Sequence, residues 1–273
     1  MSRPEHTAPP ELYYNEREAS KYQQNSRMRE IQTVLTRRAL ELLCLPDRKS
    51  CFLLDIGCGT GISGEEISAQ GHYWTGIDIS PHMLNVALEQ GVEGDLFWRD
   101  MGQGLNFRAG TFDGALSISA LQWLCNADRK SHNPIKRLNC FFQSLYKVLS
   151  RGSRAVLQFY PETAEQMNLI IQSALRAGFG GGTVVDYPNS SKAKKIYLVL
   201  ICGPETVLLP HVEGLMDSSV SYLASKKAKR TAKGQRITLK EFIRRKKERQ
   251  RKQGRIAVRP DSKYSGRKRR VKW

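Results

Sequence analysis

The chain has 273 residues, 40% hydrophobic and 26% charged, with a formal net charge of +18. Its longest apolar runs, such as Ile196–Cys202, fall far short of the roughly 20 residues that cross a bilayer, and MSRPEHTAPP lacks the apolar core of a secretory signal, so a soluble, intracellular protein with no membrane association is expected. Its six cysteines include no C-x-x-C pair and no His at metal-ligand spacing, which argues for a reduced compartment and against any metal.

Residues 1–49 read as a helical cap. ELYYNEREASKY (11–22) and MREIQTVLTRRALELL (28–43) carry apolar residues at helical spacing and would pack on a sheet. Residues 50–203 alternate short apolar strands with amphipathic helices. Strands are predicted at 51–56, 73–78, 95–98, 112–118, 153–159, 183–187 and 196–201, and helices at 63–70, 81–90, 134–149 and 162–177. That alternation predicts an α/β fold with a seven-stranded, mainly parallel, doubly wound sheet. Only PNSSKAKK separates the last two strands, too little for a helical crossover, so they are expected to form an antiparallel hairpin at the edge.

From residue 204 the apolar pattern thins. Residues 204–236 read as a mobile linker, and TLKEFIRRKKERQRKQ (238–253) as a helix ended by Gly254. Pro204–Trp273 holds 22 of the 44 Lys and Arg but 6 of the 26 Asp and Glu, a balance of +16 against +2 for residues 1–203. A near-neutral domain with a cationic tail points to a polyanion partner, nucleic acid before an anionic membrane. Such a tail can neutralise phosphates and also serve as a nuclear-import signal.

The densest chemistry lies in LLDIGCGTGISG (53–64). A buried strand runs into Gly57, Gly59 and Gly61 and then a helix start, the arrangement by which doubly wound sheets admit a ligand to the backbone. Gly59-Thr60-Gly61-Ile62-Ser63-Gly64 also satisfies G-x-G-x-x-G, so a dinucleotide site has to be weighed. Three acids favour another ligand. Asp55 closes the strand where a pyrophosphate would want bare N–H groups, and suits a cationic amine instead. Asp78 closes the next strand, 21 residues after Gly57, where a carboxylate can accept from both ribose hydroxyls. Asp100 and Met101 follow the third strand, where an adenine would lie.

The run D-I-G-C-G-T-G with acids at 78 and 100 resembles the class I S-adenosylmethionine (SAM)-dependent methyltransferases. The resemblance implies their Rossmann-like fold, SAM as methyl donor and no metal. It implies that the glycine turn takes the ligand's amino-acid part, Asp78 the ribose, and Asp100 and Met101 the adenine. Cys58, Ile79 and Ser117 complete the expected cofactor contacts, and Tyr14, Tyr22 and Arg27 resemble an N-terminal lid.

The acceptor is read from the segment after the fourth strand. Ser117-Ile118-Ser119-Ala120-Leu121-Gln122-Trp123 carries no Asn/Asp-Pro-Pro-aromatic turn, which disfavours exocyclic amines. Cys125 has no neighbouring His or cation to make it a nucleophile for carbon methylation. With no general base in view, the catalytic residues stay unassigned. A ring nitrogen such as guanine N7, which loses no proton on methylation, needs only alignment and exclusion of water. Gln122, Trp123 and Tyr160 are the candidates for positioning the acceptor, by stacking or edge recognition.

Segments along nearly the whole chain, among them PPELYYNEREASKY, SISALQWLCNA, RGSRAVLQFYPE, VVDYPNSSKAKK and VRPDSKYSGRKRR, resemble the eukaryotic 18S ribosomal RNA guanine-N7 methyltransferases. The resemblance implies a guanine of 18S rRNA in the pre-40S particle as substrate and a nuclear location, in the nucleoplasm or nucleolus and also the cytoplasm. It also implies a small zinc-ribbon activator subunit as heterodimer partner, expected at the edge strand Asp95–Trp98, whose Leu-Phe-Trp is too apolar for solvent. A small-molecule carboxyl O-methyltransferase and a non-catalytic assembly scaffold stay open as alternatives.

Overall fold

A computed structural model describes residues 3–127, 129, 132–190, 193–203 and 218–222, with 243–244, 246–248, 251 and 260. Eight strands form one sheet: β1 Phe52–Ile56, β2 Tyr73–Asp78, β3 Asp95–Trp98, β4 Phe112–Ile118, β5 Leu149–Phe159, β6 Gly180–Asp186, β7 Lys195–Ile201 and β8 Ser218–Tyr222. Their order is β3-β2-β1-β4-β5-β7-β6-β8. The first five run parallel, and β7 is antiparallel to both β5 and β6.

Alternation along the strands decides which face each side chain covers. Leu54 and Ile56 of β1 and Ala155 and Leu157 of β5 enter one core, with Phe141, Phe142 and Leu145 of α6 (Pro134–Val148) and Ile170 and Ala174 of α7 (Ala164–Ala177). Leu53 and Val156 enter the other, with Leu35, Ala39, Leu42 and Leu43 of α3 (Ser26–Leu43) and Ile67 of α4 (Ile62–Ala69). α5 (Pro81–Glu89) joins β2 to β3 and buries Met83, Leu84 and Ala87.

Gly64 on α4 faces the packed interior. A Cβ there would run into the indole of Trp74, which is 3% exposed in β2. Gly64→Ala is therefore expected to lower stability by about 1–3 kcal/mol through overpacking, despite the better helix former. Urea denaturation checks this, and a stabilised variant would contradict it.

Three expectations need correction. All seven expected strands are present, and an eighth, Ser218–Tyr222, pairs antiparallel with β6 within the segment read as linker. SSVSY offers no apolar run, so its strand character comes from the pairing and not from its own pattern. The final hairpin is present, with β7 inside and β6 outside it, but β8 rather than the hairpin forms the edge. The helix expected over 11–22 is broken into α1 (Pro10–Tyr13) and α2 (Glu16–Gln24), because Asn15 stops one and its side chain accepts from Glu18 N to cap the other.

The chain divides into compact units Met1–Ala224 and Ser225–Trp273. In the second, Ile243–Arg244, Lys246–Glu248 and Arg251 are helical, inside the stretch read as a helix. Apart from Ser218–Tyr222, residues 204–236 lie outside the described residues, as does GRKRRVKW. Among the described residues no helix is long and apolar enough to cross a membrane.

Candidate functional site

β1 and β4 are neighbours whose following helices, α4 and α6, cover opposite faces of the sheet. Their carboxyl ends therefore part, and a cleft opens there. It encloses about 890 Å³, open mouth included. The turn Gly57–Thr60 lies along it after β1, Asp78 and Ile79 after β2, Asp100 and Met101 after β3, and Ile118–Ala120 after β4. Tyr14 and Tyr22 of the N-terminal cap and Trp123 also line it.

The turn has its shape because Gly57 sits at φ +74° with its N–H donating to Ile77 O at 2.8 Å. A side chain there would meet the Cβ of Ala120 and be forced into a left-handed backbone. Asp78 braces the same turn: Oδ2 accepts from Gly59 N at 2.9 Å and Oδ1 from Ser80 N at 2.8 Å. Each carboxylate oxygen keeps a lone pair for a further donor in the cleft. Burial pushes the Asp78 carboxyl above its ordinary pKa, opposed by those backbone N–H groups.

Asp55 is placed differently from the expectation. It is fully buried beneath the turn, and Ser63, which does line the cleft, donates to its Oδ2 at 2.5 Å. Its Oδ1 and the hydroxyl of Thr60 have no partner among the described residues. Burial raises the Asp55 pKa to about 7, the Ser63 bond opposing and the charge of Asp78 adding. Below the ordinary carboxyl value of 3.8 both folded and unfolded chains hold this proton, and up to about 7 only the folded one does. Stability should thus fall as pH rises through that window, by ~1.4 kcal/mol per unit, and level off above it. Asp55→Asn is expected to lack that portion of the slope in denaturation series at several pH values. An unchanged slope would contradict it.

The other expected residues divide. Cys58, Ile79, Met101, Tyr22 and Trp123 line the cleft. Gly61, Ser117, Gln122, Arg27 and Tyr160 do not. Gly61 starts α4 at φ +86°, with Val92 2.6 Å from where a Cβ would sit. Ser117 is buried and donates to Ile56 O at 2.7 Å. Arg27 is exposed, and Tyr160 accepts from Lys195 Nζ at 3.0 Å. Gln122 acts as a brace, its Nε2 donating to Ser119 O at 2.8 Å. Burial raises the Cys125 thiol to about 12, so it stays protonated and a poor nucleophile. Among the described residues no group of three or more His, Cys, Asp or Glu is gathered as a metal site would need.

Two features escape the sequence. Arg137 of α6 donates to Asp100 Oδ1 at 2.8 Å, both side chains nearly buried, so the wall beside Met101 is an ion pair rather than a lone acid. Ser119 holds a left-handed backbone at φ +58°, locked by Gln158, whose O accepts from Ser119 N at 3.0 Å and whose Oε1 accepts from Ser119 Oγ at 2.8 Å. Strain of this kind is kept where the surroundings over-determine it, commonly at a functional site. Trp123 is 6% exposed, with the rings of Tyr13 and Tyr14 centred 6.0 and 5.9 Å away, so the cap packs an aromatic roof over the cleft.

Comparison with known proteins decides the family. A model of a methyltransferase domain matches residues 53–152, and one described as "Methyltransferase involved in Williams-Beuren syndrome" matches 205–271. The chain is 56% identical to the mouse 18S rRNA (guanine-N(7))-methyltransferase, covering 99% of this chain and 98% of the mouse protein. It is 49% identical to the Saccharomyces cerevisiae 18S rRNA (guanine(1575)-N(7))-methyltransferase over 99% of both chains. The chain belongs to the 18S rRNA (guanine-N7)-methyltransferases. A solved Haemonchus contortus phosphoethanolamine N-methyltransferase in complex with SAM is similar at 15% identity and a TM-score of 0.55, over 75% of this chain and 61% of that one. A TehB-like SAM-dependent methyltransferase from Corynebacterium glutamicum matches at 19% and 0.52, over 68% and 99%. These two share the class I methyltransferase fold, and the match to the Williams-Beuren family model covers residues 205–271 of the basic tail.

Proposed function

We propose that this methyltransferase transfers the methyl group of SAM to N7 of a guanine in 18S rRNA during small-subunit assembly in the nucleus. The carrying observation is the match to 18S rRNA methyltransferases over essentially the full length, tail included. The cleft fits the donor: a turn bare of side chains at Gly57 and Gly59, free lone pairs on Asp78, and a buried Thr60 hydroxyl without a partner among the described residues. SAM, when bound, supplies an electrophilic methyl on its sulfonium.

The chain's own work is then positional. Asp78 would accept from the ribose hydroxyls, Met101 would meet the adenine, and the Gly57–Thr60 turn, backed by Ser63 and Asp55, would hold the amino-acid end. Ser119, fixed by Gln158 and Gln122, shapes the wall where the acceptor meets the methyl. Guanine N7 brings its own lone pair and sheds no proton, so no side chain has to act as a base. Trp123, Tyr13 and Tyr14 exclude water and offer ring faces to the base. With labelled SAM and small-subunit rRNA, the label is expected in 7-methylguanosine after digestion. Label in any other nucleoside would contradict the assignment.

The expected zinc-ribbon activator has a surface to occupy. β3 pairs only with β2 among the described residues, leaving one row of its backbone groups open. Beside it Phe97 is 47%, Trp98 72% and Tyr73 71% exposed. An apolar open edge is a template for another strand. Phe97→Lys is expected to abolish co-purification with the activator while leaving the melting temperature of the lone chain unchanged. A variant that still co-purifies would contradict this placement.

A further inference from the structure

β6 runs parallel to β5 across the antiparallel β7, so the turn from β6 to β7 lies at the same end of the sheet as the cleft. Three side chains mark that end. Tyr187 follows β6 and is 43% exposed, in a left-handed backbone at φ +53°. Lys194 is exposed immediately before β7, and Lys195, its first residue, lies 5.1 Å above the ring centre of Tyr160 and donates to the Tyr160 hydroxyl.

The strain at Tyr187 is built in. On one side Asp186 is buried and held by Arg38 Nε at 3.0 Å, which fixes the end of β6. On the other, Tyr187 O accepts from Ser190 N at 3.1 Å, and Ser190 O from Lys194 N at 2.9 Å. A residue with a Cβ disfavours this conformation, and a fold that wanted only a turn would place Gly or Asn there. The conformation instead presents a large aromatic ring to solvent. Beside it Arg38 neutralises Asp186 at 3.0 Å. Tyr187 therefore stands exposed on a turn whose returning strand begins with Lys195, the register partner of Asp186, preceded by the exposed Lys194.

We propose that this turn is a docking rail for single-stranded RNA, with a base stacked on Tyr187 and neighbouring phosphates on Lys194 and Lys195. An aromatic face accepts any base, and paired cations follow the backbone, so the rail gives affinity without sequence preference. It rests on the reading of the protein as an rRNA methyltransferase and names the surface that would hold the strand flanking the target guanine.

The test uses the full chain and a fluorescent single-stranded RNA of about twelve nucleotides with a central guanine, titrated across salt concentrations, each bound base and phosphate contributing separately. Tyr187→Ala should weaken binding at least about fivefold with no change in salt dependence. The double variant Lys194→Ala, Lys195→Ala should lower the salt slope by about 1.4, two phosphates' worth. Tyr187→Phe should keep full affinity, and Tyr187→Gly, suited to the left-handed backbone, should lose it without a lower melting temperature. Unchanged affinity and slope in the folded variants would overturn the proposal. Methylation by the parent chain is scored separately: if it leaves guanine N7 unmodified while the RNA affinities still fall, the methyltransferase reading fails and the rail stands.

Discussion

Asp78→Ala is expected to weaken SAM binding by at least about 100-fold in calorimetry while the circular dichroism stays that of the parent. Two hydrogen bonds from ribose to a charged acceptor contribute roughly 1.5–3 kcal/mol each, and about 2.7 kcal/mol is a factor of 100. The same change deprives Gly59 N and Ser80 N of their acceptor, so the turn that receives the ligand's other end loses its brace. Asp78→Asn should fall between, since one oxygen survives to accept and the amide that replaces the other faces an N–H. Affinity within about threefold of the parent in a folded Asp78→Ala variant, under ~0.7 kcal/mol, would refute the ribose contact.

The largest expected stability effect lies away from the cleft, at the ion pair between α3 and the end of β6. Arg38 and Asp186 have side chains 8% and 7% exposed and meet at 3.0 Å, with Glu41 adding a second acceptor for the guanidinium at 2.9 Å. Arg38→Met would leave the Asp186 carboxylate buried without its counter-charge, a loss of about 3–5 kcal/mol. Adding Asp186→Leu should recover most of it, because an apolar pair of similar volume is often no less stable. Urea midpoints of the single and double variants measure both steps. A single variant within about 1 kcal/mol of the parent, the range of an exposed pair, would show that the pair is solvated in solution.

The strands and the glycine turn were legible because their signals are local. A buried apolar run ending in Asp-x-Gly needs no distant residue to be recognised, and Asp78 and Asp100 follow from the same local pattern at the ends of the next two strands. What stayed hidden depends on contacts far apart in sequence. Arg137 reaches Asp100 from a helix 37 residues on, and nothing in PIKRLN announces it. Asp55 was legible as an acid at the strand end, but its depth was not: Ser63, on the next helix, is what meets the cleft. Gln122 stood out as a polar residue beside the methyl, yet the left-handed Ser119 turns it into a brace. β8 failed for the opposite reason, since a polar five-residue strand is defined by the partner it pairs with.

The most direct measurement is a map of 7-methylguanosine in 18S rRNA by borohydride–aniline cleavage. It compares cells holding the protein, cells lacking it, and cells holding only the Asp78→Ala variant. Native rRNA and any native activator are present in all three. The expected result is one cleavage site that disappears in both deficient lines, which would locate the target guanine and tie it to the cleft. An identical map in all three lines, with small subunits lost only where the chain is absent, would contradict methyl transfer and leave an assembly scaffold in its place.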